Sequence, residues 1–302
     1  MNYYAHTNGD NKSKWQPLIS HLKNTEKLAA VFGEDAGISD YAAVAGRLHD
    51  LGKYSLKFQK RLEGSPLRVD HSTAGAKELI KLFGNSNSSI SSTIAHMLAY
   101  CIAGHHGGLP DIGSPIDVEG TGTLRSRMKA EIEDYSAFQT EIDPSGIKLP
   151  ENLPIRPLKK NPSFSLAFMT RMIYSTLVDA DFQETETFVQ GAKPRGYEKT
   201  VQDLYDALLA YTGKFSNQQQ PINKVRTQTL KQCIQKGESD PGFFTLTVPT
   251  GGGKTVSSMA FALKHAVKNG LKRIIYVIPY TSIIEQNAKV FRDCVGDENV
   301  LE

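Results

Sequence analysis

A histidine followed directly by an aspartate, His49-Asp50, ends the first strongly amphipathic segment of the chain. Apolar side chains recur before it at helical spacing: Ile38, Tyr41, Ala42, Ala45 and Leu48. This period predicts a helix with one buried face, and Gly52 is placed to end it. A His-Asp pair at a helix end directs two metal-binding groups into one site, where the Asp50 carboxylate is able to bridge two cations.

Further metal-binding side chains stand on other predicted helices or at their ends. They are His21, His71, His105, His106 and Asp179. Glycines flank the adjacent pair His105-His106, which allows the backbone to turn both imidazoles inward. Each of these residues alone has an ordinary structural explanation. Together they supply nitrogen and oxygen ligands suited to two divalent transition metals, which activate water and hold the reacting oxygens of a phosphodiester.

Composition narrows the class of protein. The hydrophobic content of 39% is sufficient for a core, and the net charge of +3 gives no global basic signature. A polyanionic substrate would therefore need a local patch or metal ions. The three cysteines are far apart and odd in number, so they predict neither a disulfide framework nor a zinc site, and they favour a reducing cytoplasm. No signal peptide or membrane span is predicted, so we expect a cytoplasmic protein with no membrane partner.

The character of the sequence changes near residue 215. Residues 213–223 are polar and Gln-rich and resemble a linker, which predicts one domain over residues 1–215 and a second over 216–302. Within the first domain, residues 107–160 are predicted to be a long surface insertion, followed by a helix over 163–183. The second domain has two strand-like runs, 243–248 and 273–278, each followed by helix-forming sequence. This order predicts the opening of a parallel α/β nucleotide-binding domain.

A glycine-rich loop follows the first of these runs. Its phosphate-binding residues are predicted to be Gly251, Gly252, Gly253, Lys254 and Thr255. Backbone N–H groups at the head of the following helix favour phosphate, with Lys254 reaching the β- and γ-phosphates of ATP and Thr255 the Mg²⁺ ion. Val248 replaces the first glycine of the motif, so the match is partial. No acidic Walker B motif follows, so we expect ATP turnover and unwinding to be incomplete within these 302 residues.

The ordered series of His and Asp motifs resembles the HD nuclease domain of CRISPR-associated nuclease–helicases from type I systems. The resemblance covers most of residues 15–185, and it continues in the Pro-Thr-Gly-Gly-Gly-Lys-Thr and Tyr-Val-Ile-Pro-Tyr-Thr-Ser segments, which resemble the first helicase motifs of that family. It implies a mainly α fold, in which an HD-domain helical bundle precedes a partial RecA-like α/β segment.

The resemblance also implies roles for individual residues. Asp50 would bridge two metal ions; His21, His49 and Asp179 would complete one site, and His71, His105 and His106 the other. Lys53 would neutralise a substrate phosphate and, with Asp50, form the catalytic pair. A histidine-rich ligand set favours iron, manganese, cobalt or nickel over magnesium.

The implied activity is metal-dependent hydrolysis of single-stranded DNA in antiviral defence. The implied partners are that DNA, a crRNA-guided surveillance complex of the Cascade type and the remainder of the helicase. Two alternatives stay open: an HD phosphohydrolase acting on nucleotides or cyclic dinucleotides, and a non-catalytic docking module. The P-loop segment argues against the first, because small-nucleotide hydrolases rarely need a motor, and the full set of candidate ligands argues against the second.

Overall fold

The computed structural model describes residues 2–153, 155–192, 199–214 and 220–301, which form two compact units, residues 1–193 and 194–302. The division lies earlier than the predicted boundary at 215. Helix α8 (Val201–Gly213) belongs to the second unit, because its Tyr205 and Leu208 are buried in the hydrophobic core of that unit. Residues 215–219 of the predicted linker lie outside the described residues.

The first unit is a helical bundle preceded by a small antiparallel hairpin. The hairpin pairs β1 (Tyr4–His6) with β2 (Gln16–Pro17). The helices are α1 (Leu18–Gly33), α2 (Ser39–Leu48), α3 (Leu56–Leu62), α4 (Thr73–Leu79), α5 (Ser89–Gly104), α6 (Leu124–Lys129) and α7 (Pro162–Gln190). Helix α1 packs against α2 and α7, and α5 packs against α4 and α7. The metal-binding candidates stand on these packed helices or at their ends.

The predicted helix before the His-Asp pair is present as α2, but Gly52 does not end it. The helix ends at Leu48, and Gly52 lies in a following short 3-10 turn, Leu51–Tyr54. A Cβ atom at Gly52 would lie 2.5 Å from the backbone oxygen of His71, and the Gly52 N–H donates to that oxygen at 3.2 Å. Glycine is required here because two backbone segments approach closely.

The region 107–160 is more than the predicted surface insertion. Phe138, Ile142 and Ile147 are buried in the main core of the first unit. The side chains of Tyr41 and Tyr54 donate hydrogen bonds to Asn152 O and to a Glu141 carboxylate oxygen of this region. The prediction failed because these apolar residues are isolated among turns, where no periodic pattern reveals burial.

Helix α7 is longer than the predicted 163–183. The Asn161 side chain accepts a hydrogen bond from Phe164 N and caps the helix, and Pro162 occupies its first turn. The apolar residues on the buried face of α7 are Met169, Ile173, Leu177 and Ala180.

The described part of the second unit contains α8 and three further helices, α9 (Pro221–Lys236), α10 (Lys254–Asn269) and α11 (Thr281–Val295). The runs 243–248 and 273–278, predicted as strands, have no hydrogen-bonded neighbour within the described part of the unit and are not strands there. A strand is stabilised by its ladder, and Phe243, Ile275 and Val277 are instead almost fully exposed. The fold-class prediction, mainly α with a helical bundle first, is confirmed. None of the helices described is long and apolar enough to cross a membrane.

Candidate metal centre and phosphate-binding loop

Four ligand atoms from three helices meet in the interior of the first unit. They are His21 Nε2 from α1, His49 Nε2 and Asp50 Oδ2 at the end of α2, and Asp181 Oδ1 from α7. His21 Nε2 lies 3.2 Å from His49 Nε2, 3.4 Å from Asp50 Oδ2 and 3.3 Å from Asp181 Oδ1. His49 Nε2 lies 3.3 Å and 3.4 Å from the same two oxygens. We call this set the buried cluster.

These separations fit a single ion. Nitrogen and oxygen ligands about 2.1 Å from a metal are about 3.0 Å apart at right angles and about 3.4 Å apart at tetrahedral angles. The observed distances of 3.2–3.4 Å fall between these two limits. The two histidines and Asp50 are fully buried, and the Asp181 side chain is 16% exposed. The buried cluster therefore opens only at Asp181.

The second oxygen of Asp50 faces a separate group of histidines. His105 Nε2 lies 3.5 Å and His71 Nε2 3.7 Å from Asp50 Oδ1, and His71 Nε2 lies 2.7 Å from His106 Nε2. We call Asp50, His71, His105 and His106 the exposed cluster, because His106 is exposed and His71 partly so. Asp50 thus presents one carboxylate oxygen to each cluster, which is the geometry of a ligand that bridges two ions.

Unsatisfied polar atoms support metal binding at both clusters. Both oxygens of Asp50 and Nε2 of His105 are buried without a hydrogen-bond partner. Lys53 Nζ lies 2.6 Å from Asp50 Oδ2, but its angles do not suit a hydrogen bond. Buried polar groups without partners are rare in proteins and mark an absent ion or water. A divalent cation in each cluster would satisfy all three atoms.

The outer ring nitrogens set the protonation of the histidines. Nδ1 of His49 contacts Gly46 O at 2.8 Å, and Nδ1 of His105 contacts Ile102 O at 2.7 Å. A carbonyl oxygen only accepts, so these Nδ1 atoms each carry a proton, and Nε2 is the ring nitrogen that faces the cluster and would bind a metal. His71 has the same arrangement, with Nδ1 3.3 Å from a backbone carbonyl oxygen.

The two clusters differ in their protonation. Burial lowers the pKa of His21, but the three carboxylates around it outweigh burial and raise the pKa to about 9. The pKa of His49 is likewise raised to about 10, because Asp50 and Asp181 outweigh burial. In the exposed cluster, burial and the neighbouring His105 lower the pKa of His106 to about 4. The negative charge of the carboxylates therefore keeps His21 and His49 protonated when no metal is bound.

The structure corrects one predicted ligand: Asp181, and not Asp179, joins the buried cluster. The Asp179 side chain is exposed and accepts a hydrogen bond from Gln183. At about 100° per residue, Asp181 lies about 80° around α7 from the buried Ile173, whereas Asp179 lies about 120° away on the other side. The apolar stripe of the sequence already contained this signal.

Glu184 is a functional candidate that the sequence prediction overlooked. It is buried, and its Oε2 accepts a hydrogen bond from His21 Nδ1 at 2.5 Å. Its other oxygen accepts from Gln16 Nε2 at 2.5 Å and Asn24 Nδ2 at 3.1 Å. The carboxylate therefore orients His21 and fixes its tautomer in the way that carboxylates support metal-bound histidines.

Lys53 lies against the buried cluster rather than on the surface. It is almost fully buried, and its ammonium group pairs with Asp50. His6 lies on the far side of this lysine, with its Nε2 3.5 Å from Lys53 Nζ and 3.2 Å from Thr185 Oγ1. Burial and the Lys53 charge lower the pKa of His6 to about 3, so its ring is neutral.

The glycine-rich loop of the second unit is the predicted phosphate cradle. Gly251 and Gly253 have φ of 81° and 83°, which glycine alone adopts readily, and Gly253 caps the start of α10. Lys254 is exposed as the first helical residue. The next residue, Thr255, donates a hydrogen bond to Asn287 Oδ1 of α11 at 3.0 Å.

Comparison with known proteins agrees with this division into two units. Residues 18–131 match the family model of the HD domain, and residues 215–301 match the model described as "Type III restriction enzyme, res subunit". The chain thus carries an HD domain followed by a helicase-like segment. It is 23% identical to the "CRISPR-associated nuclease/helicase Cas3" of Haloferax volcanii over 309 aligned positions, 83% of this chain. The resemblance to the HD nuclease and the first helicase segment of that family is confirmed. The chain spans 32% of the length of this relative.

Proposed function

We propose that the first unit is a two-metal nuclease that hydrolyses phosphodiester bonds of single-stranded DNA. The observation that carries the proposal is Asp50, whose two unsatisfied oxygens each face a separate set of histidines. Histidine-rich sites of this kind favour manganese, iron, cobalt or nickel. When bound, such a pair of ions lowers the pKa of water and neutralises charge on a phosphoryl group.

The residues of the chain divide the work of this site. Asp50 would be shared by the two ions, the buried cluster would hold one ion away from solvent, and the exposed cluster would hold the other where a substrate has access. We expect DNA to approach on the side of His106, which is exposed, and Asp181, which is partly exposed. Lys53 Nζ lies 2.6 Å from Asp50 Oδ2, and Lys53 is a positioning group for this carboxylate.

The substrate and the partners are inferred from the two units together. The helicase-like segment with its P-loop favours a polynucleotide over a mononucleotide or a cyclic dinucleotide, because a motor is of no use to a small-molecule hydrolase. The relative from Haloferax volcanii is named as a CRISPR-associated nuclease/helicase. We therefore propose that DNA is presented by a crRNA-guided surveillance complex, and that Gly251, Gly252, Gly253, Lys254 and Thr255 bind ATP phosphates and Mg²⁺.

A degradation assay tests the proposal. The full 302-residue chain is incubated with Mn²⁺, Co²⁺ or Ni²⁺ and a circular single-stranded DNA, beside a mononucleotide and a cyclic dinucleotide. Cleavage of the circle that is abolished in Asp50→Ala and kept in Asp179→Asn supports the nuclease. Both variants remove a carboxylate from the same unit, but only one of the two carboxylates lies in a cluster.

The remaining outcomes identify the alternatives. Hydrolysis of the small nucleotides alone would assign the chain to the HD phosphohydrolases. Inertness toward all three substrates, in protein shown to hold two ions, would favour a docking module. Equal loss of activity in both variants would show that the assay reports folding and not the metal centre.

A further inference from the structure

Arg127 on α6 lies in the middle of the region predicted to be a surface insertion. Its side chain is 24% exposed, and its guanidinium group contacts two separate chain segments beside the exposed cluster. One segment is the loop that carries His71, and the other is the end of α5, which leads into His105 and His106. These are the three histidines that the exposed cluster adds to Asp50.

Contacts on the first segment form a network around Asp70. Arg127 Nη2 lies 3.3 Å from each carboxylate oxygen of Asp70, 2.7 Å from Ser72 Oγ and 3.0 Å from Thr73 Oγ1. Asp70 Oδ1 accepts in turn from the backbone N–H groups of Ser72 and Thr73 at 3.0 and 3.1 Å. Asp70 thus holds the turn that precedes α4, and His71 lies inside this turn.

The contact on the second segment is with a helix end. Arg127 Nη1 donates to Ala103 O in the last turn of α5. Carbonyl groups in the last turn of a helix lack helical partners, and a guanidinium group satisfies one of them favourably. His105 follows two residues later, with its Nδ1 bound to Ile102 O in the same turn. One planar side chain therefore ties together the two segments that present these histidines.

We propose that Arg127 is a positioning residue that sets the distance between His71 and the His105–His106 pair, and so determines whether the exposed cluster holds an ion. This inference rests on the proposed two-metal function. His71 Nε2 and His106 Nε2 lie 2.7 Å apart although they stand on different segments. The buried cluster lies on α1, α2 and α7 and receives no contact from Arg127 among those that the structure describes.

Removal of Arg127 should therefore affect one ion and spare the other. Loss of a group that orients metal ligands typically weakens binding about 10- to 100-fold. Arg127→Ala should bind Mn²⁺ at the buried cluster as the wild type does, and at the exposed cluster about 10- to 100-fold more weakly. Arg127→Lys should behave like the alanine variant, because a single ammonium group cannot replace a planar fork with donors in two directions.

Titration calorimetry with Mn²⁺, followed by electron paramagnetic resonance, measures this on the full chain. With enough Mn²⁺ to fill both sites of the wild type, the wild type should give the spectrum of a coupled manganese pair, and Arg127→Ala, with its exposed cluster still empty, should give an uncoupled spectrum. Arg125→Ala, on the same short helix but exposed, is the matched control and should keep the coupled pair.

The possible failures are distinguishable. A coupled pair with unchanged affinities in both Arg127 variants would overturn the positioning role while leaving the two-metal function intact. Loss of both ions together with the circular-dichroism signal in both variants would also overturn it, because the role would then be general folding. A wild-type chain that binds fewer than two ions would refute the proposed function itself.

Discussion

Glu184 offers a sharp test of how the buried cluster is supported. Its two carboxylate oxygens accept three hydrogen bonds, one from His21 Nδ1 and two from the amide groups of Gln16 and Asn24. Glutamine at this position keeps the size but offers only one oxygen. In one orientation of the new glutamine, its NH₂ group faces His21. In the other orientation, its NH₂ group faces Gln16 and Asn24. At least one buried donor therefore loses its acceptor in either case.

The expected cost follows from this count. A buried donor left without an acceptor costs about 1–3 kcal/mol, and loss of a group that supports a metal-bound histidine weakens metal binding about 10- to 100-fold. Glu184→Gln should therefore weaken Mn²⁺ binding at the buried cluster by that factor and spare the exposed cluster. Asp179→Asn, which changes an exposed carboxylate on the same helix, is the control and should bind both ions normally.

Calorimetric titration of the metal-free proteins measures this difference. Unchanged binding by Glu184→Gln would refute the claim that the carboxylate orients His21. Weakened binding by Asp179→Asn, with normal binding by Glu184→Gln, would restore the ligand set predicted from the sequence and contradict the geometry of α7.

Three other predictions concern packing, nucleotide binding and pH. A Cβ atom at Gly75 would lie 1.9 Å from a backbone oxygen, so Gly75→Ala should lower the free energy of unfolding by about 3 kcal/mol. A calorimetric scan should show the Tm of the first unit lowered by about 6–12 °C. Gly146→Ala has room for the added Cβ atom and should leave the Tm unchanged. Lys254→Ala should weaken the binding of a fluorescent ATP analogue at least about tenfold. Lys268→Ala, at the other end of α10, should leave this binding unchanged. Equal affinities of the two variants for the analogue would disprove the phosphate cradle. The raised pKa of His49, about 10, means that an ion must displace its proton. Mn²⁺ affinity of the buried cluster should therefore rise between pH 6 and 8, by about tenfold per pH unit for each proton released, and a flat profile would contradict the protonated resting state.

The sequence predicts which residues cluster best where these residues form local motifs. The His49-Asp50 pair ends a helix with a clear apolar stripe, and the adjacent His105-His106 pair ends another, so their positions follow from helical periodicity. On α7, Asp179 and Asp181 are separated by one residue, and either could be the metal ligand of the predicted motif. Only their positions around the axis of α7 distinguish them. The buried face of the helix has to be followed as far as Glu184 to show that Asp181 is the residue nearer to that face.

Features that depend on distant contacts could not be predicted in the same way. Arg127 lies 57 residues from Asp70, and nothing in the local pattern joins them. The runs 243–248 and 273–278 have strand-like sequences, but a strand also needs a neighbour, and the described residues provide none. Local periodicity predicts an element and its buried face, whereas pairing across the chain requires the fold.

The number of ions bound tests the central claim most directly. Native mass spectrometry of the full chain, reconstituted with Mn²⁺, should show two ions in the wild type and one in Asp181→Asn. In Asp50→Asn both sites lose a shared ligand, and we expect neither ion to be retained. Two ions in Asp50→Asn, or none in the wild type, would contradict a metal centre bridged by Asp50.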